Sequence, residues 1–199
     1  MLGEVAVSGA IITGNYVFIH YQGEAGVAAY SVACYCFPVL FMMANAIVQS
    51  GQPIVSFANG AGNQTRLAEA RRMMLRWAVI TGTLISVGMY LCSDYVTMLF
   101  LDNTDPAYAL CIDGLPYFGL GVLFLTQNIV LIGYMQSIEQ AYKATIFTLL
   151  RGFVIVIPTF IILPKLIGNI GMWLAIPAAE FITLLLLIIS QRVLAKLKQ

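Results

Sequence analysis

Charge is scarce in this 199-residue chain: 10% of its residues are charged, against about 25% in soluble domains. The net charge is +1, so no bulk attraction draws nucleic acid or acidic substrates, and no nucleic-acid partner is expected. There is one histidine, His20, which argues against a histidine-based metal cluster. The four cysteines, Cys34, Cys36, Cys92 and Cys111, include no CxxC pair. They read as small apolar packing residues, with a Cys92–Cys111 bridge as the alternative. Gly60-Ala61-Gly62 is not followed by Lys-Ser/Thr, so no phosphate-cradling loop for ATP hydrolysis is present. No GxSxG, no HExxH and no carboxylate pair placed for glycoside chemistry occurs. The chain therefore does not read as an enzyme, and no cofactor is expected. The first residues lack a basic region and carry Glu4, so no cleavable signal peptide is expected.

Apolar residues are abundant. They make up 60% of the chain, and the mean hydropathy is +0.89. A soluble domain of this size exposes too much surface to hide them. An integral membrane protein in contact with the lipid bilayer is the reading that remains. A membrane-spanning helix needs about 20 mostly apolar residues. Six stretches approach that, at 5–21, 26–48, 73–92, 114–135, 144–163 and 170–189. They read as helices because each span must satisfy its own backbone in lipid, and the alternation of a barrel strand is absent. Gln22-Gly23-Glu24 is a tight polar turn, and Gly60-Ala61-Gly62-Asn63 opens a basic loop. Asp94 to Leu101 reads as a short interfacial helix. Ala25, Ala29 and Ala33, and likewise Gly82 and Ser86, form small-residue ridges for close helix packing.

Arg66, Arg71, Arg72, Arg76, Lys143, Arg192, Lys196 and Lys198 fall on one side of this arrangement, and Lys165 alone on the other. By the positive-inside rule both termini are expected in the cytoplasm. Ionisable groups inside the bilayer cost roughly 2.5–3.5 kcal/mol to insert, so each is a functional hypothesis. Glu180 lies near the middle of the sixth span, with Pro177 just before it. Glu4 either complements the first helix's N-terminal dipole or, if the natural chain continues upstream, lies deeper. Arg151, within the fifth span, either snorkels or pairs with an acid. The amides Asn15, Asn45, Gln49, Gln52, Gln127 and Asn128 sit in or beside spans and together suggest a polar interior for water or solute.

Gln52-Pro53-Ile54-Val55-Ser56-Phe57, Asn59-Gly60-Ala61-Gly62-Asn63 and Arg66 resemble the multidrug and toxic compound extrusion (MATE) family. Gly26-Val27-Ala28-Ala29-Tyr30, Arg151 with Pro158, and Gly171-Met172-Trp173-Leu174-Ala175-Ile176-Pro177 with Glu180 continue the resemblance across nearly the whole chain. Family members have twelve helices in two similar lobes, and this sequence is similar to the second. The resemblance implies an all-α, six-helix lobe whose partner, the N-terminal lobe, is missing from this chain. It implies export of small organic, often cationic, compounds by alternating access, coupled to proton or sodium. It also implies ion-coupling roles for Glu4 and Glu180, and a multi-pass location in a cell membrane, the bacterial inner membrane. One departure concerns sodium. Sodium-coupled members carry another acid in the fourth helix of this lobe, whereas Phe124-Leu125-Thr126-Gln127-Asn128-Ile129-Val130 has none.

Two other functions compete. A flippase for lipid-linked saccharides should have a large cationic cavity, yet only Arg151 is expected inside the membrane, Arg76 lying at the cytoplasmic junction of its span. A non-transporting scaffold should be close-packed and gains little from a buried acid such as Glu180.

Overall fold

The computed structural model describes residues 2–197, with side chains described from 7 to 191. Among these the chain is all α-helical. It runs α1 (Leu2–Gly60), α2 (Gln64–Leu91), α3 (Ser93–Met98), α4 (Pro106–Ser137), α5 (Ala141–Leu149), a π-helical turn (Leu150–Ile155), α6 (Val156–Ile167) and α7 (Asn169–Leu197). Five helical runs are long and apolar enough to cross a membrane, with α5, the π-turn and α6 together making one of them.

The first run is a hairpin rather than a rod. Gly23 has φ 65° and ψ −153°, a conformation that the missing Cβ makes accessible. Beyond it the chain returns along itself: the Tyr30 hydroxyl donates to the Ala10 carbonyl at 3.4 Å, and Phe18 stacks on Tyr30 at 4.5 Å between ring centroids. In a straight helix residues 10 and 30 would stand about 30 Å apart. The hairpin thus supplies two arms, and the all-α membrane architecture has six membrane-length helices.

The helices outrun the apolar stretches at several ends. The second arm continues through Pro53 to Gly60, because polar side chains such as Gln49 and Gln52 are exposed there while the backbone keeps its helical bonds. The basic stretch expected as a loop is already helix from Gln64. Asn63 starts it by accepting from the Arg66 amide at 3.0 Å, which satisfies one of the free donors of the first turn. Asp105 starts α4 likewise, accepting from the Ala107 amide at 2.8 Å with Pro106 in the first turn.

The α4 helix lies at the centre, packed against α1, α2 and α7. Its contact with α2 uses the small ridge. Ser86 Oγ donates to the Gly119 carbonyl at 2.8 Å, and Thr126 Oγ1 donates to the Ala78 carbonyl at 3.0 Å. On the other side Trp173 of α7 lies so close to Gly114 that a methyl group there would overlap the indole. Trp173 meets Phe18 edge-on at 5.0 Å and joins Tyr30 and Phe160 in one aromatic cluster. Ala29 and Ala33 are fully buried. The four cysteines are free thiols, and Cys111 Sγ accepts from Thr97 Oγ1 at 3.3 Å rather than bridging to Cys92.

Candidate functional site

The π-turn carries the one cation that is buried inside the bundle among the described residues. It lies just upstream of Pro158, which has no amide hydrogen to continue the α-register behind it. Such wide turns recur at functional sites. Here the turn holds Arg151, with 7% of its surface exposed, against α7. Arg151 Nε donates to Glu180 Oε1 at 2.7 Å. Glu180 is 5% exposed and Asn128 of α4 is 0% exposed. Asn128 Nδ2 donates to Glu180 Oε2 at 2.7 Å and also to the Glu180 backbone carbonyl at 2.8 Å. The carboxylate therefore has a donor on each oxygen, which is what a buried charge requires. Asn128 Oδ1 is buried without a partner.

Arg151 also faces a groove of about 920 Å³ between the two arms of α1, α4 and α5. Ser8, Asn45, Gln49, Gln136, Thr145 and Thr148 supply the other polar groups of its lining. Asn45 Nδ2 donates to the Phe41 carbonyl and Thr148 Oγ1 to the Ala144 carbonyl, each at 2.8 Å. With those donors used within their own helices, both side chains keep acceptor oxygens. Glu180 does not line this groove. It borders a cavity of about 10 Å³ behind Arg151, roughly the size of one water. Arg151 borders both spaces and so stands between the groove and the acid.

Asn45, Gln49 and Arg151 thus meet in the groove, and Asn128, Arg151 and Glu180 meet behind it. The remaining sequence candidates lie elsewhere. Gln52 is exposed near the end of the second arm. Gln127 Nε2 donates to the Leu123 carbonyl of its own helix at 3.0 Å. Asn15 is half-buried, with Oδ1 lacking a partner. These three are not among the groove's lining residues. The Glu4 side chain lies outside the described residues. Sequence reading missed Ser8, Gln136, Thr145 and Thr148, although Thr145, Thr148 and Arg151 recur at a spacing that places them on one face of the fifth span.

Known proteins give the context. The MatE family model matches residues 1–162. Among solved structures the chain is similar to a multidrug resistance MATE family transporter of the MOP superfamily in its outward-facing conformation. That match has 19% identity and a TM-score of 0.89, covering 100% of this chain and 45% of that one. It is similar to a MOP superfamily transporter from Pyrococcus furiosus, described as having a binding pocket of reverse polarity that suggests a different function. The figures are 19% identity, TM-score 0.88, and 100% and 45% coverage. An inward-facing MATE family structure matches at 19% identity and TM-score 0.88, covering 96% of this chain and 44% of that one. At these identities the structures speak for the fold, and this chain spans about 45% of their length. No curated protein matches. With the family model covering residues 1–162 of 199 and the fold matching one transporter lobe throughout, the chain belongs to the MatE family.

Proposed function

We propose that this chain is one lobe of a cation-coupled antiporter that exports organic compounds by alternating access, and that the Arg151–Glu180–Asn128 centre is its ion-responsive element. The observation that carries this reading is the buried ion pair at 2.7 Å beside a polar groove of about 920 Å³. A pair taken out of water gains little net stability over an apolar replacement, so a scaffold has little use for it. An open polar groove likewise speaks against a close-packed scaffold. The single cation, already neutralised by Glu180, offers little to the polyanionic head of a lipid-linked saccharide.

The donor set favours protons over sodium. Both Glu180 oxygens are met by nitrogen donors, Arg151 Nε and Asn128 Nδ2. These nitrogens bring no lone pair to a metal cation, the one unpartnered oxygen beside them is Asn128 Oδ1, and the adjacent guanidinium repels a second cation. A proton on Glu180 would instead cancel one half of the pair and release Arg151 toward the groove. That is a differential effect on two arrangements, as a coupling ion requires. In vesicles holding the assembled two-lobe transporter, an imposed pH gradient should drive uptake of a fluorescent organic cation, whereas a sodium gradient at constant pH should not. Sodium-driven uptake insensitive to a protonophore would refute proton coupling at this centre.

The proposed topology places both termini in the cytoplasm of a bacterial cell, motivated by the cation asymmetry. Single cysteines introduced at Gln64 and Asp105, in a background lacking the native four, would report it. An impermeant thiol reagent added to sealed cells should label the Asp105 site and spare the Gln64 site. The reverse pattern would invert the lobe.

A further inference from the structure

A second groove, of about 510 Å³, lies on the outside of the bundle between the first arm of α1 and α6. It is open: Ile12 and Tyr16 in its lining are 70% and 74% exposed. Its chemistry is sorted along its length. Ile12, Val17, Ile157 and Ile161, with Thr13 bonded to the Gly9 carbonyl of its own helix, line the part away from the turns, while His20, Tyr21 and Lys165 gather at one end. That end is set by the two turns that bring the chain back, at Gly23 and at Gly168. Both are non-helical points where a membrane-length helix stops, so the polar end lies at the membrane surface and the apolar part runs inward. Lys165 is the cation that charge counting left alone on this side. Among the described residues it has no carboxylate partner. Tyrosines and lysines at this level are the side chains that favour the headgroup region.

We propose that this groove is a binding site for an anionic phospholipid, its phosphate held by Lys165 at the surface and an acyl chain lying along Ile12, Val17, Ile157 and Ile161. Two features favour this occupant. The charge is complementary, since an unpaired ammonium at the interface attracts an anionic headgroup. The gradient from polar rim to apolar depth follows the axis of a lipid. The site is separate from the Arg151–Glu180 centre, so it stands or falls independently of the export reading.

The test uses the protein in phosphatidylcholine vesicles doped with a photoreactive phosphatidylglycerol or, in parallel, a photoreactive phosphatidylcholine carrying the same acyl probe. Crosslinked peptides are identified by mass spectrometry. Phosphatidylglycerol should label the 12–21 and 157–161 segments preferentially. Lys165→Gln should reduce that preference about fivefold, the equivalent of roughly 1 kcal/mol for one lysine near an anionic surface. Ile161→Trp, which fills the groove and keeps the charge, should reduce labelling by both lipids. Equal labelling by the two lipids, unchanged in Lys165→Gln, would show ordinary boundary lipid and overturn the proposal. Absence of labelling by either lipid when the second lobe is present would show that protein covers the groove, and would overturn it too.

Discussion

Replacing Glu180 with Gln is expected to abolish gradient-driven export and to destabilise the lobe by about 3–5 kcal/mol, because it leaves the Arg151 guanidinium buried without its counter-charge. The second effect complicates the first. Gln matches Glu in volume but not in charge, and Arg151 Nε donates to the very oxygen whose charge is removed. A paired replacement separates the two effects. Arg151→Met with Glu180→Met removes both charges together and keeps apolar bulk in their place. Stability in detergent, read as the thermal midpoint, should return to the native value or exceed it, since swapping a buried pair for apolar residues is neutral or stabilising by about 1–4 kcal/mol. Export should stay lost. If the double variant folds and exports normally, the pair is structural and the coupling element lies elsewhere. Asn128→Leu should fall between: the Oε2 donor disappears, the ion pair remains, and export weakens without the full loss.

Much of this architecture is legible in the sequence, for a physical reason. Lipid imposes one rule on every span, and the rule leaves long apolar runs with polar punctuation. Gly23 and Asp105 declare their turns through residue chemistry alone. The small-residue ridge at Gly82 and Ser86 declares a close helix contact. The ends of helices were harder, because a helix persists beyond the bilayer where its side chains meet water, as the second arm does from Gln49 to Gly60. The site was visible only in its parts. Arg151 and Glu180 each stand out as costly groups, but their meeting depends on the π-turn, and hydropathy carries no trace of a turn one residue wider. Nor could the sequence say that Arg151 stands in front of Glu180. Asn128 could not be told from Gln127, its neighbour on the same helix, until packing gave one to Glu180 and the other to its own backbone.

The second large effect concerns the lobe itself. The chain spans about 45% of the length of the transporters it resembles, and alternating access in such folds needs two halves rocking about a site between them. A lone lobe offers its groove, with Asn45, Gln49 and Arg151, to lipid rather than to a partner. Polar groups facing hydrocarbon cost kilocalories each, so the isolated lobe is expected to be unstable or to associate with itself. A partner lobe supplied as a separate chain should rescue it, because membrane helices insert first and pack afterwards.

Efflux of a fluorescent organic cation from cells producing this chain alone, a MatE-type N-terminal lobe alone, or both, with crosslinking to report the assembly formed, decides whether this lobe works as half of an exporter. The account predicts that only the pair exports, that a protonophore stops it, and that Arg151→Met with Glu180→Met silences it without dispersing the complex. Proton-driven efflux from this chain alone, with crosslinking showing a monomer, would contradict the account.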